Sequence, residues 1–218
     1  MPVNSKYVHI VGICGVATSA IAIAFHKEGW KVTGSDKGFY PPVSTHLTEA
    51  GISYYAGWHP ENIQAGGTPD FIMIGGIGTS PNNPEVIYAQ EHNIPVYPFA
   101  EVLQKYFIKK NSIVAVGTWG KTTSASLLSF ILIEAGLDPS YFSGGLSLSH
   151  DTGAIRDSEW SVVEGDEYQV SISDKRPKFN FYSPTHLLLT SVSWDHADLY
   201  PTEKEYFDTF KRDDCGLH

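Results

Sequence analysis

The sequence has little of several features that would commit a chain early to a class. Cysteine occurs only at Cys14 and Cys215, far apart and outside any CxxC spacing, so neither a disulfide framework nor a zinc ribbon is indicated. A reducing compartment is the expectation. Lys and Arg number 15 against 24 Asp and Glu, a formal net charge of −9. That balance argues against a surface built to hold nucleic acid, because phosphate backbones are bound mainly by clustered basic side chains. No apolar run approaches the roughly 20 residues of a membrane span. The N-terminal stretch MPVNSKYVHIVGICGV, with one lysine and an apolar run broken by glycines, makes a poor signal peptide. A cytoplasmic protein that binds neither membrane nor nucleic acid is therefore expected. What is present is an ordinary globular balance, 42% hydrophobic residues in 218, with length for one large domain or two small ones.

Along the chain, runs rich in β-branched residues alternate with segments of helical period. YVHIVGI (7–13) predicts a strand, followed by a glycine turn and a helix that ends at Gly29. KVTGSD (31–36), FIMIGG (71–76) and IPVYPF (94–99) predict further strands, with helices over 44–51, 84–93 and 100–107. Such alternation implies an α/β fold with a parallel sheet and crossover helices. The polar KKNS beyond the last of these helices marks a boundary near 108–111, which divides the chain into domains 1–108 and 109–218. In the second, SIVAVG (112–117) predicts a strand and residues 121–136 a long helix. Further strands are expected over 160–167 and 186–193, and a last helix over 202–212. A domain of this type normally has more strands, so the second is expected to be incomplete.

The first domain carries GICG, in which Gly12 and Gly15 fall where a strand turns into a helix. There, free amides and the helix dipole favour a diphosphate. The spacing is GxxG rather than GxGxxG. Asp36 closes the second strand, where a carboxylate can accept a hydrogen bond from a ribose hydroxyl. These residues point to a nucleotide diphosphate without choosing between NAD and a nucleotide sugar. The alternative is that the glycines only permit close packing of helix on sheet.

The second domain carries VGTWGKTT (116–123), which misses the strict P-loop pattern because Ala115 stands where a glycine is usual. Ala115 still belongs to the strand, however, and the turn keeps Gly117 and Gly120. Backbone amides from Gly117 to Lys121 are expected to wrap phosphate oxygens, Lys121 to neutralise the β and γ phosphates, and Thr122 to reach Mg²⁺. EGDEY (164–168) ends a buried strand, where a carboxylate supplies the second Mg²⁺ contact. Glu164 is the first candidate, with Asp166 and Glu167 as neighbours. WDHADLY (194–200) would bring Asp195 and His196 to the same sheet edge. By itself His196 reads as an Asp-paired structural residue, since Mg²⁺ prefers oxygen ligands.

In this order, GTxGKTT at Gly117–Thr123, the acidic strand end at Glu164, and the DHxD loop at Asp195, His196 and Asp198 resemble the Mur ligase family. Its members are ATP-dependent amide ligases that extend UDP-N-acetylmuramic acid in peptidoglycan synthesis. Together with YPPVSTHL (40–47) and DKRPKF (174–179), the motifs look most like the branch that adds a recovered tripeptide. The branch that adds L-alanine is the near alternative, and a non-catalytic fragment that binds UDP-sugar or ATP is a third reading. The resemblance implies a Rossmann-like domain for the UDP-sugar, a central P-loop domain for ATP, and a third domain for the amine that this chain is expected to lack. It implies UDP-sugar contacts from Gly12, Cys14, Gly15, Val16, Ala17, Asp36, Thr45 and Ser80. ATP contacts would come from Gly117, Thr118, Gly120, Lys121, Thr122 and Thr123. Lys121, Glu164 and His196 would form the catalytic set, with Mg²⁺ on Thr122, Glu164 and His196. The chemistry implied is attack of the muramyl carboxylate on the γ-phosphate of ATP, giving an acyl phosphate from which the amine displaces phosphate. The sequence departs from the family pattern at Trp119, where histidine is usual, and at Ser191, where asparagine is. Without the third domain, the chain by itself is expected not to complete ligation.

Overall fold

The computed structural model describes residues 6–76, 82–145, 151–170 and 174–210. The chain divides into two compact units, one ending at Val102 and the other beginning at Leu103. The division falls a few residues before the stretch 108–111 because Leu103–Phe107 packs within the second unit. These residues form a π-helical turn rather than the end of a regular helix. Gln104 Nε2 donates to the Phe181 carbonyl at 2.9 Å, and the Phe107 ring lies edge-on to Phe142.

In the first unit the elements are β1 (Tyr7–Val11), α1 (Val16–Lys27), β2 (Lys31–Asp36), α2 (Val43–Glu49), β3 (Ser53–Ala56), α3 (Pro60–Gln64), β4 (Phe71–Ile74), α4 (Pro84–Glu91), β5 (Val96–Pro98) and α5 (Phe99–Val102). The strands form one parallel sheet in the order β3-β2-β1-β4-β5. β1 is buried along its whole length, as expected of a central parallel strand covered on both faces. The chain winds outward from β1 through β2 to β3, then returns to add β4 and β5 on the other side. The reversal of strand order between β2 and β4 opens a crevice at the carboxyl ends of the strands around β1, the usual ligand position in open α/β sheets. Asn83 caps α4 by accepting from the Glu85 amide, and Pro84 fits the first turn.

The second unit contains β6 (Asn111–Val116), α6 (Lys121–Glu134), β7 (Ser140–Phe142), β8 (Gly153–Ala154), β9 (Trp160–Glu164), α7 (Lys178–Phe181), β10 (His186–Leu189) and α8 (Glu203–Thr209). Its sheet runs β10-β6-β9-β7-β8, parallel except for the antiparallel β7–β8 pair. Val114, Val116, Val162 and Val163 are fully buried and form the sheet core, with Ala125 of α6 packed against it. β9 ends at Glu164 and β10 at Leu189, earlier than the sequence predicts, because Gly165 and Thr190 begin the loops that shape the site. The two-residue and three-residue strands β8 and β7 were not expected at all.

Candidate functional site

In the first unit the glycine loop is already internally bonded. The amides of Gly12 and Ile13 donate to the Ser35 carbonyl at 2.8 and 3.2 Å, and Gly15 N donates to the Gly12 carbonyl at 3.3 Å. Cys14 N donates to Asp36 Oδ2 at 2.9 Å, while Asp36 Oδ1 accepts from Lys37 N at 2.7 Å. The Thr18 hydroxyl donates to the Gly12 and Gly15 carbonyls at 2.6 and 3.0 Å. Gly12, Cys14, Gly15 and Asp36 are thus brought together, but the amides of the first three are already used. In this loop and helix start, the amides that have no acceptor among the described residues are those of Val16, Ala17 and Thr18 in the first turn of α1, the ordinary donors of a helix start. Gly12 has φ +83°, and a Cβ there would lie 3.1 Å from the Gly75 carbonyl oxygen, so the glycines let the loops after β1 and β4 approach at the crevice. Burial, with the Asp36 charge adding to it, pushes the Cys14 thiol up to about 11, so it is no thiolate. Thr45 is exposed on α2, and Ser80 lies outside the described residues.

In the second unit the turn after β6 is held by the loop after β10. Thr118 N donates to the Ser191 carbonyl at 2.8 Å, and Trp119 N to Ser191 Oγ at 3.0 Å. The Thr190 hydroxyl donates to the Val116 and Trp119 carbonyls at 2.9 and 2.7 Å. The Thr118 hydroxyl donates to the Ser193 carbonyl at 2.7 Å, accepts from Ser193 N at 2.9 Å, and pairs with the buried Tyr206 hydroxyl at 2.9 Å. Thr118, expected to contact ATP, is here engaged with the protein itself. Its amide and hydroxyl are both spent on the fold, because the loop carrying Ser191 and Ser193 runs directly against the turn. Gly120, in the left-handed region at φ +85°, then starts α6. The amides of Gly120, Lys121, Thr122 and Thr123 have no acceptor among the described residues.

Lys121 folds back over this turn. Its Nζ donates to the Gly117 carbonyl at 2.7 Å and lies 3.1 and 3.0 Å from the two carboxylate oxygens of Glu167. Glu167 is fully buried; burial pushes its carboxyl above the ordinary range, and the Lys121 ammonium pulls it part of the way back. Each acid of EGDE has its own partner. Glu164 Oε2 accepts from Gly144 N at 2.7 Å, Asp166 pairs with Lys178 at 2.5 Å, and Glu167 takes Lys121. Glu167 is the residue that sequence reasoning left among the neighbours. Its signal lies only in the three-residue offset from the end of β9, which carries it under the lysine.

Thr122 and Glu164 both lie against the Gly144–Gly145 turn. A Cβ on Gly145 would stand 2.8 Å from Thr122 Cγ2, and one on Gly144 would stand 3.3 Å from a Glu164 oxygen. Thr122 carries a hydroxyl and Glu164 a carboxylate, hard oxygen donors of the kind Mg²⁺ takes, and both side chains pack against this turn. His196 does not pair with Asp195 through its ring: Asp195 Oδ1 accepts from the His196 amide at 2.7 Å. The imidazole instead packs edge-on against Tyr168, on a left-handed backbone at φ +54°. Among the described residues no group of three or more His, Cys, Asp or Glu side chains converges to hold a metal. No helix among them is long and apolar enough to cross a membrane.

Residues 7–110 match the sequence model of the Mur ligase family, catalytic domain. The chain is 34% identical over 197 residues to the UDP-N-acetylmuramate–L-alanyl-gamma-D-glutamyl-meso-2,6-diaminoheptandioate ligase of Haemophilus influenzae, covering 89% of this chain and 43% of that protein. It is 36% identical over 201 residues to the UDP-N-acetylmuramate–L-alanine ligase of Legionella pneumophila, covering 92% of this chain and 40% of the relative. The crystal structure of the UDP-N-acetylmuramate:L-alanyl-gamma-D-glutamyl-meso-diaminopimelate ligase from Neisseria meningitides superposes with a TM-score of 0.80 at 29% identity. That match covers 94% of this chain and 66% of the other. The chain therefore spans about two fifths of the length of the curated relatives it matches. Two sheets, parallel but for the β7–β8 pair, each with a glycine turn running into a helix at its carboxyl edge, agree with these similarities, and the chain belongs to the Mur ligase family.

Proposed function

We propose that this chain carries the UDP-sugar and ATP sites of an amide ligase of peptidoglycan synthesis or recycling, which joins UDP-N-acetylmuramate to a peptide or amino acid. The observation that carries the reading is Lys121 at the start of a 14-residue helix, behind a glycine turn with free amides and beside an acidic strand end. Those amides and the ammonium suit the β and γ phosphates of ATP, and Lys121 would offset the charge that shifts as the γ-phosphoryl group is transferred. Thr122 and Glu164 have the donor chemistry to hold Mg²⁺ beside the Gly144–Gly145 turn, and His196 is proposed beside them on the family resemblance. When bound, Mg²⁺ would neutralise phosphate charge. In the first unit the amides of Val16 and Ala17 would take the diphosphate of the UDP-sugar, Asp36 would accept from its ribose, and Gly12, Cys14 and Gly15 would shape the loop. Thr45 and Ser80 are proposed as further contacts to the same ligand. Relatives that take a tripeptide and relatives that take L-alanine match at 34% and 36% identity, so both amines fall within the proposal. A cytoplasmic location belongs to the same proposal, because both nucleotide substrates are soluble.

The test is a calorimetric titration of the chain with UDP-N-acetylmuramate and with MgATP, using NAD as the control ligand. Saturable binding of the UDP-sugar and ATP, with none of NAD, is expected. Binding of NAD alone would overturn the reading of the first unit, and failure of ATP to bind would overturn that of the second.

A further inference from the structure

The Lys121–Glu167 pair is not a surface ion pair. Side-chain exposure is 15% for the lysine and 1% for the glutamate. Glu167 Oε2 has no hydrogen-bond partner among the described residues, so Lys121 is the group that answers its charge. The glutamate cannot easily withdraw, because its backbone carbonyl accepts the Tyr200 hydroxyl at 2.6 Å. Its acidic neighbours cannot take its place, since Asp166 is held by Lys178 and Glu164 by the Gly144 amide. An ammonium has three N–H donors. Here one goes to the Gly117 carbonyl at 2.7 Å and another to Glu167, and the Thr118 carbonyl lies at 3.4 Å. The lysine that a nucleotide phosphate would use is already satisfied by the protein.

We infer that Glu167 sets the affinity of this loop for polyphosphate: it is the internal anion that Lys121 holds until a triphosphate takes its place. The inference deepens the ATP reading above and rests on it. A ligand must supply enough negative charge to draw the ammonium off a buried carboxylate, and it must then sit close to that carboxylate. Both costs are charge terms in a partly desolvated site, so removing the charge should tighten phosphate binding. A carboxylate that only held the lysine in place would have the opposite effect, because its loss would let Lys121 wander and weaken binding.

The experiment compares ATP and adenosine binding to the full chain and to Glu167→Gln, Glu167→Asp and Lys121→Ala, with thermal melts to check folding. Glu167→Gln is expected to bind ATP about tenfold more tightly, with adenosine affinity unchanged. Glu167→Asp, which keeps the charge but shortens its reach, should fall between the two, and Lys121→Ala should lose the ATP response. If Glu167→Gln does not melt cooperatively, Glu167→Ala carries the same comparison without an unpaired amide. Wild-type binding with an equal or weaker Glu167→Gln would overturn the inference alone. Failure of every variant and of the wild type to bind ATP would overturn the ATP reading and the inference with it.

Discussion

Replacing Thr118 by valine should destabilise the second unit. The two side chains have nearly the same shape, so the change removes one hydroxyl and little else. In the native loop that hydroxyl donates to the Ser193 carbonyl and accepts from Ser193 N, with the Tyr206 hydroxyl as its third neighbour. Tyr206 is fully buried and cannot turn to solvent for another partner, whereas Ser193 is only half-buried and can recover part of its loss from water. Stranding a buried polar group costs about 1–3 kcal/mol, so one full and one partial loss give roughly 2–4 kcal/mol. With a urea m-value of about 1.5–2 kcal/mol/M for a unit of this size, the midpoint should fall by roughly 1–2.5 M at unchanged slope. Urea melts followed by circular dichroism read this directly. A midpoint shift under about 0.3 M, accompanied by a loss of ATP affinity, would refute the reasoning and return Thr118 to the nucleotide site.

Two further perturbations test other parts of the structure. Gly117 has φ +126°, and a Cβ there would stand 2.3 Å from the Ser191 carbonyl oxygen, so Gly117→Ala should cost roughly 2–5 kcal/mol in the same melts; a wild-type midpoint would show that the turn is looser than described. In the first unit, buried Glu85 accepts from the Ser35 hydroxyl, from Asn62 Nδ2 at 2.9 Å and from His59 N at 3.0 Å, with His9 Nε2 at 3.6 Å. Burial pushes its carboxyl up, but the nearby His9 ring and the hydrogen bonds from Ser35 and Asn62 outweigh that and hold it below the ordinary value of 4.5. Its contribution to stability is therefore complete above that value and is lost as pH falls through the lower folded value. Glu85→Gln should cost about 1–3 kcal/mol at neutral pH and flatten the acid limb of a stability–pH curve. An acid limb identical to that of the wild type would contradict the assignment.

Much of the candidate site was legible because its residues occur where chain direction changes. A lysine after a glycine turn at the head of an apolar helix has one obvious place, and Lys121, Thr122 and Glu164 occupy the positions expected of them along their elements. The partners were not legible, since they depend on register between distant segments. Nothing local links Thr118 to Ser193, or Lys121 to Glu167 rather than Glu164. Those pairings arise because β10 lies beside β6, and because β9 stops one residue before Gly165. The long helices and central strands were readable from period and β-branching, whereas β7 and β8 are too short to show any period. The 103–107 segment has helical spacing but winds as a π turn, a choice made by packing of Leu103 and Phe107 within the second unit. His9 was also hidden. It is a polar residue in a buried apolar strand, with Nδ1 bonded to the Thr33 hydroxyl at 2.7 Å and Nε2 facing Glu85 at 3.6 Å.

The outer face of α6 has a bearing on how the protein must be handled. Leu127, Phe130, Ile131 and Ile133 are each at least 40% exposed, an apolar strip on the helix that opens with the phosphate loop. In the same unit β10 is an edge strand, joined among the described residues only to β6, so its other backbone row is open to pairing. An oily strip and an unsealed strand margin in one unit make colloidal behaviour a matter of concentration. Ligand titrations therefore belong at the dilute end of the accessible range, where stickiness between molecules does not masquerade as binding heat.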